Sequence, residues 1–170
     1  MLTEPKLENR PTQPYVAIRS LVNLQTFGAE IPKSLNAVHA WLEKQGLAPA
    51  GAPFIRYNVI DMERELDVEI GWPVTTPMTA EAPISPGVFP AGRYATAIHI
   101  GSYDGLMAST AALLDWADMQ GIVWDRRPTD RGEAWGARFE FYLSDPAVEP
   151  DPEKWRTELA FMLADSQPKL

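Results

Sequence analysis

The stretch "ARFEFYLSDP" (137–146) has the alternation of a β-strand that ends in a turn. Side chains alternate across a strand, so Phe139 and Phe141 share one face while Glu140 and Tyr142 share the other. The first face is apolar enough to pack in a core. The second carries a carboxylate, and the rest of the chain decides whether Glu140 is an ordinary solvated residue or part of a ligand pocket.

A similar phrase occurs in the first half of the chain, where "FIRYNVID" (54–61) corresponds to "FEFYLSD" (139–145). The hydrophobic periodicity around each phrase predicts the same order of elements, strand–helix–strand–strand. In the first half these elements are 14–24, 30–46, 52–60 and 65–74, and in the second half they are 92–101, 104–121, 135–144 and 154–163. The shared order indicates an internal duplication.

The predicted fold is therefore α+β, with duplicated βαββ units that form an antiparallel sheet. Two helices cover one face, and a ligand groove lies on the other. We expect Phe139 and Phe141 to pack beneath the helices, and Arg138, Glu140 and Tyr142 to face the groove. The expected boundaries are a flexible N-terminal arm, a single domain whose halves are joined by a Pro-rich linker, and a C-terminal tail: 1–13, 14–163 (halves about 14–74 and 86–163, linker 75–85) and 164–170.

Composition narrows the class of function. The net charge of −8 and the lack of a Lys/Arg cluster argue against a nucleic-acid partner. The chain has no cysteine and two histidines, so we expect neither a metal site nor a thiol nucleophile, and no cofactor motif is evident. There is no secretory signal and no apolar run of membrane-spanning length, which favours a cytoplasmic protein without a membrane partner.

Three segments carry a resemblance to a known family. They are "PFIRYNVIDMERELDVEIGWPV" (53–74), "GRYATAIHIGSYDGLMASTAALLDWADMQGIVWD" (92–125) and "FEFYLSDPAVEPDPEKWRTELAFML" (139–163). Together they resemble the GyrI-like small-molecule-binding family, which includes effector-binding domains of bacterial multidrug-responsive regulators. The resemblance implies the same duplicated βαββ fold and bulky aromatic, often cationic ligands. No helix-turn-helix segment is evident in these 170 residues, so we expect a stand-alone member.

Candidate site residues follow from the strand pattern and the resemblance together. In multidrug-binding relatives a Glu on the matching strand stands at the base of an aromatic pocket, and that position is Glu140 here. The alternative is a solvated acid that pairs with Arg138 or Arg156. The candidate ligand-binding residues are Glu140, Tyr142, Tyr57, Tyr103, Trp72 and His99. A structural role is also open for four of them. Tyr142 can pack across strands, and Tyr103 can pack at the start of the second helix. Trp72 alternates with core positions, and His99 can pack as a partly exposed residue.

Three functions remain open at this stage. The first is binding of bulky aromatic, preferably cationic drugs or toxins, with Glu140 as the acidic anchor and tyrosine rings as walls. The second, implied by the resemblance, is a cofactor-free hydrolase that detoxifies reactive cyclopropane-bearing aromatic compounds, with Glu140 activating water and Tyr142 assisting. The third, also implied by the resemblance, is inhibition of a topoisomerase-like protein partner by direct binding. The sequence features that support the first two are almost identical.

Overall fold

A computed structural model describes residues 1–165; the final five residues of the expected tail, 166–170, lie outside the described part. Strands and helices follow in the chain order β1 (Lys6–Arg10), β2 (Gln13–Val22), α1 (Phe27–Lys44), β3 (Phe54–Ile60), β4 (Leu66–Pro73), β5 (Ile84–Phe89), β6 (Gly92–Ile100), α2 (Leu106–Met119), β7 (Arg126–Thr129), β8 (Gly132–Trp135), β9 (Arg138–Tyr142) and β10 (Arg156–Met162). Short 3₁₀ turns at Tyr103–Gly105 and Pro152–Lys154 precede α2 and β10.

The sheet has an internal twofold relation that confirms the predicted duplicated α+β fold. Its strand order is β1-β6-β10-β9-β3-β4-β2-β5, with the β7–β8 hairpin attached to β3. The first half contributes β2-α1-β3-β4 and the second contributes β6-α2-β9-β10, so equivalent strands occupy mirrored places in this order. The halves join where β3 pairs with β9, and there Ile55 lies directly opposite Glu140.

Both helices pack on the same face of the sheet. Buried residues four positions apart point from each helix into the core: Val38 and Leu42 from α1, and Leu113 and Ala117 from α2. The buried clusters beneath α1 include Ile55 of β3. The buried cluster beneath α2 includes Leu159 of β10.

The two helices also end alike. Gly46 and Gly121 follow the last turns with φ of +73° and +70°, a conformation that favours glycine. The next residue in each case bonds back to the helix: the Leu47 and Ile122 amides donate to the carbonyls of Leu42 and Ala117. The helices end at Lys44 and Met119, two residues before the predicted ends, 46 and 121. The agreement is this close because a glycine after an apolar stripe is a local signal that does not depend on tertiary packing.

The face opposite the helices is closed by strong curvature. The rings of Phe89 in β5 and Phe139 in β9 lie 4.9 Å apart, although three strands separate β5 from β9 in the sheet. In a flat sheet four strand spacings would place them about 19 Å apart. Tyr15, Phe54 and Phe139 are each at most 2% exposed within the same aromatic cluster. Both faces of the central strands are therefore buried.

The predicted facing of β9 is wrong. Phe139 and Phe141 do not lie beneath the helices but in the aromatic cluster on the opposite face. Glu140 and Tyr142 lie on the helix face, since their neighbours there are Leu159 and the α1-side core. Because the sheet curls, aromatic residues fill its concave side, which the simple two-layer expectation did not include.

Some segments differ from the expected boundaries. Residues 6–10, expected in a flexible arm, form β1 and pair with β6. β5 begins at Ile84, inside the expected linker, and pairs with β2. The predicted strand 135–144 is divided at Gly136 and Ala137 into β8 and β9. This break places Trp135 on the helix face, in the α2 core, whereas Phe139 is on the opposite face.

Candidate functional site

Glu140 lies at the boundary between the two halves of the sheet and is held by two tyrosines. The Tyr57 hydroxyl donates to Glu140 Oε1 at 2.7 Å, and the Tyr142 hydroxyl donates to the same oxygen at 2.8 Å. Tyr57 comes from β3 and Tyr142 from β9, and they occupy equivalent positions in the phrases "FIRYNVID" and "FEFYLSD". The duplication thus supplies two hydroxyl groups for one carboxylate. We call Tyr57, Arg138, Glu140 and Tyr142 the Glu140 cluster.

The carboxylate is buried without a close counter-ion. Glu140 is 8% exposed, and within residues 1–165 no Lys, Arg or His nitrogen lies within 4.0 Å of it. Oε2 accepts no hydrogen bond from this part of the chain and is not among the fully buried unpaired atoms, so it retains some access to solvent. Glu140 is therefore neither solvated nor paired with Arg138 or Arg156, and the alternative interpretation does not fit.

The two tyrosines remain protonated donors over a wide pH range. Burial raises the pKa of Tyr57 and that of Tyr142 well above the ordinary value, and the adjacent Glu140 carboxylate raises both further. A neutral hydroxyl beside a carboxylate can only donate to it, so the hydrogen-bond directions are fixed. Oε1 is occupied, and Oε2 is the oxygen left for another group.

Arg138 belongs to this cluster, although it was not among the candidate ligand-binding residues named from the sequence. Its guanidinium carbon lies 4.4 Å from the Phe161 ring centroid, 4.7 Å from Trp135 and 5.7 Å from Tyr57. Its Nε is buried and has no hydrogen-bond partner within residues 1–165. Burial lowers the pKa of this guanidinium. The alternation placed Arg138 on the same face as Glu140, but nothing in the sequence indicated that aromatic rings would surround it.

Aromatic residues from both halves adjoin the cluster. Phe27 at the start of α1 lies 6.1 Å from the Tyr57 ring. Tyr103, just before α2, lies 5.7 Å from Tyr142 and 4.8 Å from Trp155, and it is 38% exposed. The structure thus brings four candidates together: Glu140 and Tyr142 with Tyr57 and Tyr103.

Trp72 and His99 do not join them. The Trp72 indole donates to the Leu35 carbonyl at 3.0 Å and so fixes α1 on the sheet. His99 is 2% exposed. Its Nε2 lies 2.8 Å from the Ser102 carbonyl, which can only accept, and its Nδ1 lies 2.6 Å from Ser109 Oγ in α2. Each side chain connects a helix to the sheet, which agrees with the structural alternative, except that His99 is buried and not partly exposed as expected.

The chemistry available at the cluster is that of an anionic, partly desolvated carboxylate among aromatic rings. Among residues 1–165, no three His, Asp or Glu side chains converge in a way that could hold a metal ion. No helix in the same residues is long and apolar enough to cross a membrane.

Sequence comparison assigns the family. The model of the GyrI-like small-molecule-binding domain matches residues 3–164, nearly the whole chain. This protein belongs to the GyrI-like family. No functionally curated protein matches this GyrI-like chain significantly in sequence.

Solved structures share the GyrI-like fold at low sequence identity. The C-terminal domain of EcmrR superimposes with a TM-score of 0.72 at 22% identity, covering 96% of this chain and 98% of that domain. The EcmrR chain in an EcmrR–DNA complex matches with a TM-score of 0.75 at 23% identity. That match covers 96% of this chain but only 58% of the EcmrR chain.

Two further proteins have the same fold. SAV2435, solved bound to tetraphenylphosphonium, matches with a TM-score of 0.64 at 12% identity, over 96% of this chain and 95% of that one. A protein described as a hydrolase from Listeria innocua matches with a TM-score of 0.60 at 14% identity, over 95% and 92% of the two chains. At these identities the likeness establishes the fold alone.

Proposed function

We propose that this GyrI-like domain binds a bulky aromatic cation at the Glu140 cluster, between the halves of the sheet. The observation that carries the proposal is the buried Glu140 carboxylate. Among residues 1–165, it accepts two tyrosine hydroxyls on Oε1, accepts no hydrogen bond on Oε2 and has no cation within 4.0 Å. The site therefore lies on the helix face, and not on the opposite face where the sequence placed the groove.

Desolvation explains why such a carboxylate favours a cation. Burying a neutral polar group without a hydrogen-bond partner costs about 2–7 kcal/mol. Burying an ion also costs several kcal/mol, even after the protein relaxes around it. Two hydroxyl donors compensate part of this cost for Glu140, each contributing about 1.5–3 kcal/mol because the acceptor is charged. A ligand cation near Oε2 offsets the remainder. An anionic ligand would increase the cost.

The surrounding rings suit the aromatic part of such a ligand. Arg138 shows that the ring faces of Trp135 and Phe161 accept a positive charge, because its guanidinium lies over them. Tyr103 is partly exposed and packs edge-on against Tyr142, with a ring interplanar angle of 74°. A flat ligand ring can contact Tyr103 while its charge approaches Glu140. Arg138 opposes this charge, so we expect moderate affinity.

Relatives support the chemical class. SAV2435 has been solved with tetraphenylphosphonium, which is a bulky aromatic cation. The family description, small-molecule binding, agrees with a ligand site rather than a purely structural role.

Titration with a pair of dyes tests the proposal. Fluorescence anisotropy of the cationic dye rhodamine 6G should saturate at one equivalent, and unlabelled tetraphenylphosphonium should displace the dye. A neutral dye of similar shape, measured in parallel, should bind at least tenfold more weakly, about 1.4 kcal/mol. Equal affinity for both dyes would show that no carboxylate selects the ligand.

The same titration separates binding from hydrolysis. The open Oε2 could also orient a water molecule, and one structural neighbour is described as a hydrolase. A binding protein reaches a stable endpoint at one equivalent, whereas a hydrolase consumes an excess of an electrophilic aromatic compound over time. Product analysis by mass spectrometry, with heat-denatured protein as the control, distinguishes these results.

A further inference from the structure

The face of the sheet opposite the Glu140 cluster contains a cavity of about 320 Å³. Its lining includes four aromatic side chains from three strands: Phe89, Tyr94, Phe139 and Phe141. We call this cavity the aromatic basin. Phe139 and Tyr94 are at most 2% exposed, so they form its base. This volume lies near the lower end of the roughly 300–1,000 Å³ of small-molecule pockets.

The charged groups at the basin neutralise one another. Arg10 and Glu158 are the charged residues among its lining. Arg10 Nη2 donates to Glu158 at 2.8 Å and to Glu8 at 2.7 Å, and the guanidinium lies 5.9 Å from both the Tyr94 and the Phe141 ring centroids. Glu8 also lies 4.0 Å from Lys6 Nζ, so two carboxylates face two cations here, whereas Glu140 has no cation within 4.0 Å among residues 1–165. The basin therefore has no electrostatic preference for a charged ligand.

The shape of the base favours a flat ligand. The Phe139 and Phe141 rings, centred 5.7 Å apart, are inclined to each other by only 37°. Phe89 stands nearly perpendicular to Phe139, at 84°. A planar ring system can lie against the first pair and meet the edge of the third, and offset and edge-to-face contacts of this kind are favourable.

From this cavity, its aromatic base and its internally paired rim, we propose a second binding site, in the aromatic basin, for a small flat uncharged aromatic molecule. It is distinct from the Glu140 site, because the two sites occupy opposite faces of β9. Its ligand is selected by apolar contact area and planarity, and the Glu140 ligand by positive charge.

The proposal is tested with N-phenyl-1-naphthylamine, a neutral probe that fluoresces in apolar surroundings. Ala50 is an exposed residue that lines the basin, so Ala50→Trp should fill its mouth without disturbing the core. Leu143→Trp, at a 46% exposed lining residue, gives a second obstruction from the end of β9. Ala48→Trp is the matched control, since Ala48 is exposed in the same loop and is not part of the lining. Circular dichroism confirms that each variant is folded.

The expected result is saturable enhancement with the wild type and with Ala48→Trp, and a loss of affinity of at least tenfold with both obstructing variants. Tetraphenylphosphonium should not displace the probe. Unchanged affinity in both obstructing variants would overturn the proposal. So would displacement by tetraphenylphosphonium, because the probe would then occupy the Glu140 site, and so would the absence of saturable binding to the wild type.

Discussion

Replacing Glu140 with glutamine removes the charge of the proposed anchor while keeping its size and an oxygen for the Tyr57 and Tyr142 hydroxyls. A cation in contact with Oε2 would lie about 4 Å from the carboxylate charge. At an effective dielectric constant of about 20, the Coulomb attraction between the two charges is about 4 kcal/mol. Arg138 already interacts with the same charge, and the cation loses hydration. We therefore expect half of this value, about 2 kcal/mol, or roughly a 30-fold increase in the Kd of rhodamine 6G.

The stability of the same variant provides an independent measurement. Glutamine weakens two charge-assisted hydrogen bonds but removes a buried charge that lacks a close counter-ion, so the free energy of unfolding should fall by less than about 1 kcal/mol. Urea denaturation measures it. A variant that loses binding while keeping its stability has lost a ligand contact and not its fold.

Glu69→Gln is the matched control for this experiment. Glu69 also accepts a tyrosine hydroxyl, from Tyr15 at 2.8 Å, but it lies on the opposite face of the sheet. Dye affinity should be unchanged in this control. Two results refute the reasoning: affinity of Glu140→Gln within about twofold of the wild type, or equal losses for the cationic and neutral dyes.

Three other predictions concern neighbouring residues. Arg138→Met removes a positive charge from the cluster but keeps apolar volume, so this variant should bind rhodamine 6G several-fold more tightly. Arg138→Lys keeps the charge and should bind the dye like the wild type. Weaker binding by Arg138→Met would contradict the opposition of Arg138 to a cationic ligand. Burial and the Glu140 carboxylate raise the pKa values of Tyr57 and Tyr142 well above the ordinary value of about 10, so the folded state keeps protons that the unfolded state loses. The contribution of these two tyrosines to the free energy of unfolding should be constant well below pH 10 and should be lost as the pH rises above it. The fall in stability should be less steep in Tyr142→Phe. Denaturation at stepped pH, with tyrosinate absorbance recorded, measures this, and a constant stability through the tyrosinate transition is the opposing result. Trp72→Phe removes the bond to Leu35 and should lower the free energy of unfolding by about 1 kcal/mol without changing dye affinity; a matching loss of affinity would place Trp72 in the site.

The order of elements was predictable because its signals are local. Gly46 and Gly121 end the helices, and the two similar strand phrases mark the repeat. The additional strands were not predictable in the same way. β1 has mostly polar residues, β5 contains a proline, and all four residues of β7 are exposed, so none shows a hydrophobic alternation. These strands form because a partner strand is available, which is a tertiary effect.

The candidate site was predictable in part. Alternation correctly grouped Arg138, Glu140 and Tyr142, because residues two apart always share a face. It could not tell which face the helices cover, since Phe139 on the other face is equally buried. The Tyr57 bond to Glu140 spans 83 residues of sequence, and only the pairing of β3 with β9 brings the two together.

The pairing of Ile55 with Glu140 has a consequence for ligand orientation. A site on a local twofold axis offers two equivalent poses to any ligand that lies across it. Here one of the two related positions carries an apolar side chain and the other a carboxylate, so the poses differ in energy. In the proposed site, a ligand with one charged end would therefore be held in a single direction, with that end towards the second half. Ile55→Glu would place a second carboxylate at the related position and make the site suited to a dication.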